Sequence, residues 1–227
     1  MKHSFFITGT DTGVGKTFVA RLLLKHAEAL GLSTLGLKPV AAGCTDHSGT
    51  SANEDAWELM HSSSVQASYA EVNPVALLEP MAPHIAAQRE GKEISVGPLA
   101  QHCRQLMNTA DFTVIEGAGG WDVPLNDAES MADLAQQIAC PVILVTGMRL
   151  GCINHTLLTA SAIASSGLEL AGWVANHIAP NMSVADENFA ALEQRLAAPC
   201  IGRIPWEPWQ TETKKHDLLN LEALLQP

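Results

Sequence analysis

The stretch Ile7-Thr8-Gly9-Thr10-Asp11-Thr12-Gly13-Val14-Gly15-Lys16-Thr17 constrains this chain more than any other. An apolar run, Phe5-Phe6-Ile7, enters a glycine-rich turn. The turn enters a segment whose Phe18, Val19, Leu22, Leu23 and Leu30 fall on one helical face. The pattern predicts a strand, a tight loop and a helix from Gly15 to Leu30 that stops at Gly31, a good residue just past a helix end. Glycines let such a loop curl until several backbone N–H groups point at one centre, and the helix adds its own unpaired N–H groups and dipole. The product is a cradle for a polyphosphate. Gly13, Val14, Gly15, Lys16 and Thr17 are its expected ATP-binding residues, with Lys16 reaching the β- and γ-phosphates and the Thr17 hydroxyl on Mg²⁺. In the usual spacing, Gly-x-x-x-x-Gly-Lys-Ser/Thr, the first position would be Thr10; here the glycine stands one earlier, at Gly9. The loop is one residue longer, which makes Asp11 and Thr12 candidates to touch something besides ATP.

A second landmark is Phe112-Thr113-Val114-Ile115-Glu116, strand-forming residues ending in an acid, followed by Gly117-Ala118-Gly119-Gly120. A carboxylate at the end of a buried strand is costly unless paired or metal-bound. After a phosphate loop, Glu116 therefore reads as a Mg²⁺ group. Thr34-Leu35-Gly36-Leu37-Lys38 predicts another strand, ended by Pro39. Parallel α/β sheets place ligands at the carboxyl ends of their strands, so Lys38 either reaches the ligand or simply faces water. Residues 41–51 read as loop, and Asn53-Glu54-Asp55 opens a helix with Trp57 and Met60 inward. Asp55 there serves either the helix dipole or the metal.

Further on, Asn73-Pro74-Val75-Ala76-Leu77-Leu78 predicts a short strand, followed by helices over His84–Arg89 and Gly97–Met107 and one marked by Met131, Leu134, Ala135 and Ile138. Pro141 to Val145 is apolar on both faces, as a central parallel strand is. A helix from about Ile153 to Ser165, a strand from Leu170 to Asn176, a helix over 184–196, a short strand from Cys200 and a last helix over 217–225 complete the alternation. The expected architecture is α/β: one domain over residues 1–227, a P-loop NTPase fold whose doubly wound, mostly parallel sheet has about seven strands with helices on both faces.

Composition narrows the function. A formal charge of −11 with no long basic run argues against nucleic acid as a partner. The longest strongly apolar run, near Cys140 to Val145, is too short to span a bilayer, and no membrane partner is expected. Met1-Lys2-His3-Ser4 runs into a strand without an apolar leader core, and five cysteines with no C-x-x-C spacing suit reduced thiols, so a cytoplasmic location is expected. The nine histidines include no H-E-x-x-H pair.

Several stretches together resemble the dethiobiotin synthetase family. They are Thr8-Gly9-Thr10-Asp11-Thr12 with Val14-Gly15-Lys16-Thr17, Lys38-Pro39-Val40-Ala41, Val114 to Trp121, Leu150-Gly151-Cys152-Ile153-Asn154-His155 and Leu170 to Asn176, with Val72-Asn73-Pro74 and Pro83-His84-Ile85 besides. The resemblance implies an ATP- and Mg²⁺-dependent ring closure in biotin biosynthesis. Carbon dioxide adds to one amine of 7,8-diaminononanoate, ATP phosphorylates the carbamate to a carbamic–phosphoric anhydride, and the second amine closes the ureido ring. It implies catalytic roles for Lys16, Lys38 and Thr12, and Mg²⁺ held by Thr17, Asp55 and Glu116. Asn176 is implied to read the adenine edge, and Thr12, Lys38, Gly151, Cys152, Ile153 and Asn154 to bind substrate. The last four come from the partner subunit in this family, giving a homodimer with its site across the interface, and Cys152 acts there through its backbone.

Two positions depart from the family pattern: Gly13 stands where some members have glutamate, and Ala42 where some have serine. One lost hydrogen bond to a charged group costs about 1.5–3 kcal/mol, an effect on substrate affinity rather than reaction class. A paralogue or related ATP-dependent ligase acting on another amine or carboxylate is the alternative within enzymes. A nucleotide-switched partition-type ATPase is the alternative outside them; such proteins carry a lysine near the start of the loop, where this chain has Asp11.

Overall fold

A computed structural model of the chain describes residues 2–47, 50–206 and 218–225. The first unit is β1 (His3–Gly9) and α1 (Lys16–Ala29), joined by the glycine loop. Next come β2 (Thr34–Leu37), β3 (Val40–Ala42), β4 (Thr45–His47), β5 (Thr50–Ala52), α2 (Glu54–Ser62), α3 (Tyr69–Val72) and β6 (Val75–Leu77). The helices α4 (Pro83–Arg89) and α5 (Val96–Leu106) lead to β7 (Phe112–Glu116), α6 (Met131–Ile138) and β8 (Val142–Met148). The chain continues through α7 (Cys152–Ser165), β9 (Leu170–His177), α8 (Ala185–Glu193) and β10 (Cys200–Ile204) to α9 (Glu222–Leu225).

Six strands form the main sheet in the order β10-β9-β8-β1-β7-β2, and every pair in it is parallel. Side chains alternate across it. Phe5 and Ile7 of β1 enter one core with Val19, Leu23, Phe112, Val114 and Ile143 beneath α1, while Phe6 enters the other with Ile115, Leu99 and Leu134 beneath α5 and α6. A third cluster, Leu144, Trp173, Ala175 and Leu192, seats α7 and α8 on the outer strands. Both faces are covered, which is why β1, β7 and β8 read as continuous apolar runs. Because all six strands point the same way, Gly9, Lys38, Glu116, Met148 and Asn176 lie at one edge, where the site forms.

Several elements differ from expectation. The strand expected at 73–78 forms, but β6 pairs with β3 in a two-stranded parallel ribbon, leaving six rather than about seven strands in the main sheet among the described residues. Residues 41–51, expected as loop, contribute to β3 and to the antiparallel hairpin β4–β5; a composition of small and polar residues concealed the backbone pairing. On α2 the buried residues are Ala56, Leu59 and Ser62, while Trp57 and Met60 are only half-buried. Leu59 sits where a Cβ on Gly36 would come within 3.0 Å of its own Cβ, so the close approach to β2 sets the helix face and turns Trp57 toward Tyr69 and His61. Of the last expected helix, residue 217 lies outside the described residues; 218–221 are not α-helical, because Leu219 bridges Gly202 and Asn220 N–H donates to Ile201 O at the edge of β10, and α9 covers only the end.

Candidate active site

The loop between β1 and α1 closes on itself. Thr10 N–H donates to Val145 O at 3.0 Å, which continues the strand pairing one residue beyond Gly9. A Cβ on Gly9 would lie 2.6 Å from Val14 Cγ2, so only glycine lets the chain turn back there. Gly13 and Gly15 take φ of +73° and +91°, and Gly15 is the residue capping α1. Both conformations are ones that L side chains rarely adopt. Lys16 folds back over the turn and donates from Nζ to Asp11 O at 3.0 Å. Burial, reinforced by the nearby Lys38 charge, lowers its pKa from the ordinary lysine value to about 8. Behind the loop, Asn176 at the end of β9 donates from Nδ2 to Val14 O at 2.8 Å, and a Cβ on Gly15 would collide with that nitrogen.

Beside the loop, four side chains from four elements converge. Thr17 Oγ1 donates to Glu116 Oε1 at 3.0 Å, and Lys38 Nζ donates to the same oxygen at 2.5 Å and to Gly117 O at 3.2 Å. Asp55, in the first turn of α2, places Oδ2 at 3.4 Å from Lys38 Nζ. Burial opposes the charge on Lys38, but Glu116 and Asp55 outweigh it and hold the pKa above the ordinary lysine value, so this lysine stays an ammonium. Glu116 is 1% exposed, and its Oε2 has no hydrogen-bond partner among the described residues. A buried carboxylate with one oxygen still unpartnered, lining the same cavity as a threonine hydroxyl and an aspartate, offers hard oxygen donors that suit a hard cation.

A cavity of about 840 Å³ unites much of what the sequence singled out: Thr12, Gly13, Gly15, Lys16, Thr17, Lys38, Asp55 and Glu116 all line it. The glycine run after Glu116 reaches it too, since a Cβ on Gly119 would lie 3.6 Å from Thr12 Oγ1. Val14 is buried under the loop and Asn176 braces it from behind; neither is a lining residue. Gly151, Cys152, Ile153 and Asn154 are not brought into this cavity. Gly151 caps α7 with φ +93°, and Cys152 is buried, its Sγ turned toward Asn188 Oδ1 at 3.9 Å.

Two sets of residues escaped the sequence reading. Arg149, just after β8, pairs through Nη2 with Asp11 Oδ2 at 2.5 Å, while Asp11 Oδ1 accepts from Thr12 N–H at 2.7 Å. The ion pair thus orients the extra loop residue, and the only signal in the sequence was an unpartnered acid at the start of the loop. Asn53, Tyr69 and Asn73 form the second set, hydrogen-bonded behind Lys38 and Asp55; the motif Val72-Asn73-Pro74 had shown itself without its chemistry.

A glycine loop between a parallel strand and a helix, closed by a buried lysine and faced by an acid on the adjacent strand, defines a P-loop nucleoside-triphosphate-binding protein. Solved structures share this fold. The septum site-determining protein MinD complexed with Mg-ADP from Pyrococcus horikoshii OT3 aligns with TM-score 0.59 at 16% identity, covering 100% of this chain and 90% of that one. Chloroplast FtsY from Physcomitrella patens aligns with TM-score 0.54 at 16% identity, covering 100% of this chain and 66% of that one. At those identities the likeness concerns the fold alone. The family described as an AAA domain matches residues 3–214. The ATP-dependent dethiobiotin synthetase BioD of Cellvibrio japonicus (strain Ueda107) is 56% identical over 204 residues, 90% of each chain. The protein of the same name from Pseudomonas aeruginosa PAO1 is 50% identical over 203 residues, 89% of each chain. The chain belongs to the ATP-dependent dethiobiotin synthetase family.

Proposed function

We propose that this chain, acting as one domain over residues 1–227, is the ATP-dependent ligase that closes the ureido ring of dethiobiotin from 7,8-diaminononanoate and carbon dioxide. The observation that carries the reading, beside family membership, is the convergence of two buried lysines, Lys16 from the loop and Lys38 from the end of β2, on one cavity. Every stage of the chemistry is anionic: a triphosphate, a carbamate, a mixed anhydride and released phosphate. Lys16 stabilises charge on the phosphoryl group in transfer. Lys38 stabilises the carbamate and anhydride oxygens, and Thr12, on the extended loop, contacts the carbamate. Asn176 reads the adenine edge.

Mg²⁺ fits the unpartnered Glu116 Oε2, with Thr17 and Asp55 as the other protein ligands and nucleotide phosphates supplying the rest, as is usual for this ion. When bound it neutralises charge on the β- and γ-phosphates. The substrate's carboxylate tail fits the α7 N-terminus at Gly151–Asn154 of a second copy. The exposure of Leu150 (94%) and Leu158 (62%) beside and along that helix, and the position of 151–154 outside this chain's own cavity, support a homodimer. A cytoplasmic location agrees with the five cysteines, all free. Among the described residues, no helix is long and apolar enough to cross a membrane.

Incubation of purified protein with the diamine, bicarbonate, Mg²⁺ and ATP tests the reading. Dethiobiotin and ADP should form in equal amounts; ADP at background and no dethiobiotin would sink it. The lowered pKa of Lys16 adds a pH dependence. Below about pH 8 the ammonium is already charged in the free protein, whereas above it a bound triphosphate must restore the proton. ATP affinity should therefore hold steady below about pH 8 and weaken by up to about tenfold per unit above it. Calorimetry in two buffers of different ionisation heat should register proton uptake on binding near about pH 9, and equal heats in both buffers would contradict the assignment.

A further inference from the structure

Lys38 and Asp55 lie on different elements, and their side chains meet at 3.4 Å across the cavity wall. A chain of hydrogen bonds joins their backbones from behind. Asn53 caps α2, accepting Ala56 N–H at Oδ1 (3.3 Å) and donating from Nδ2 to Ala42 O (3.2 Å). Its own N–H donates to Tyr69 Oη at 2.7 Å, and the Tyr69 hydroxyl donates to Asn73 Oδ1 at 2.8 Å. Asn73 Nδ2 donates to Lys38 O at 2.6 Å and to Val75 O at 3.2 Å, and Lys38 N–H donates to Val72 O at 2.9 Å. Asn53 and Asn73 are both buried, and each uses both ends of its amide. The path is a closed ring: Asp55 on α2, its cap Asn53, the Tyr69 hydroxyl, Asn73, the Lys38 peptide and the Lys38 ammonium back to Asp55. One polar atom, Tyr69 Oη, is the link between its two halves.

We propose that Tyr69 is a positioning residue of the phosphoryl-transfer site, its hydroxyl fixing the spacing at which Lys38 meets both Asp55 and Glu116. The inference rests on the roles proposed above for Lys38 and Asp55. A phenylalanine would fill the same space and keep the ring packing on Trp57, whose centroid is 5.6 Å away, so the hydroxyl alone separates positioning from packing. With buried Asn53 and Asn73 on either side of a half-buried Tyr69, such a network over-determines its members, and misplacing a catalytic group by a fraction of an ångström to an ångström costs up to about 10²-fold in rate.

Tyr69→Phe tests this. The kcat should fall about 10- to 100-fold and the Mg²⁺ concentration for half-maximal rate should rise several-fold. KM for ATP should stay within about twofold, because the loop, α1 and Asn176 are untouched. Trp57→Leu, which removes packing but leaves every hydrogen bond of the ring, should retain most of the kcat. A Tyr69→Phe enzyme with wild-type kcat and Mg²⁺ requirement, or a Trp57→Leu enzyme with the same loss, overturns the proposal. Amide hydrogen exchange gives a readout independent of turnover: the Asn53 N–H loses its acceptor in Tyr69→Phe and should exchange about tenfold faster. If the wild-type protein makes no dethiobiotin, the functional reading fails on its own. An unchanged Asn53 exchange rate still rejects the relay in that case.

Discussion

Replacing Lys16 by alanine is expected to reduce turnover by on the order of 10³-fold or more while leaving the fold as stable as before. Both halves follow from one observation. The ammonium is 6% exposed, and its pKa is depressed from 10.5 to about 8, chiefly by burial, so the folded protein holds this charge at a cost. That cost is fully present below about pH 8 and is relieved as pH rises toward the unfolded value of 10.5. At neutral pH the alanine variant loses the hydrogen bond to Asp11 O and some packing of the lysine stem, and it is also released from the desolvation. The catalytic loss has no such offset, because the charge expected to face the β- and γ-phosphates is removed outright. Steady-state kinetics and thermal unfolding of the same preparation check it. Turnover within tenfold of wild type would remove Lys16 from the phosphate-binding role.

Lys38→Ala should differ in kind. Here the folded pKa is raised, so the pair with Glu116 stabilises the fold fully below the ordinary value of 10.5 and loses that contribution only as pH climbs through the raised value. Removing the lysine leaves Glu116, 1% exposed, with Thr17 as its hydrogen-bond partner at Oε1 and none at Oε2 among the described residues. Breaking a buried pair from one side costs about 3–5 kcal/mol, so the unfolding midpoint should drop clearly at neutral pH without nucleotide. Turnover should fall a further 10²–10³-fold from lost charge stabilisation at the carbamate and anhydride. Adding Glu116→Gln isolates the stability effect, because it removes the uncompensated buried charge: the double variant should regain stability. A double variant as unstable as Lys38→Ala would mean that the stranded Glu116 charge is not the cause of the loss.

The parts of the site visible in the sequence are those forced by local chemistry. Gly13 and Gly15 announce a backbone that only glycine adopts easily, and Lys16 and Thr17 follow them at fixed spacing on the first turn of α1. Glu116 was visible because an acid closing an apolar strand needs a partner, and the structure gives it two, Lys38 and Thr17. What stayed hidden depends on long-range contact. Arg149 and Asp11 are 138 positions apart, and nothing in either neighbourhood names the other. Asn73 reads only as the first residue of a short strand until the Lys38 carbonyl, 35 positions earlier, is found on its amide. Similarly, helical periodicity predicted the existence of α2 but favoured Trp57 for its inner face. The close approach of Gly36 and Leu59 set that rotation, and it is a property of the pair. The partner of β6 was hidden for the same reason: the short strand at 73–78 was expected, but its pairing with β3, in a segment that reads as loop, is a long-range contact.

Gly13 belongs to both groups. Its φ of +73° suits glycine, and open space surrounds the position of the missing Cβ, so the loop presents no side chain there. On the proposed reading the carbamate contact falls to Thr12 and Lys38, and the central claim is that ATP phosphorylates a carbamate held beside it in this cavity. Oxygen-18 tracing tests that claim most directly. With doubly labelled ¹⁸O carbon dioxide, supplied in single-turnover mixtures quenched before exchange with water, the carbamate oxygen that attacks the γ-phosphorus leaves in the released phosphate when the ring closes. One labelled oxygen per phosphate, read by ³¹P NMR, is the predicted result; phosphate free of label alongside newly formed dethiobiotin would contradict it.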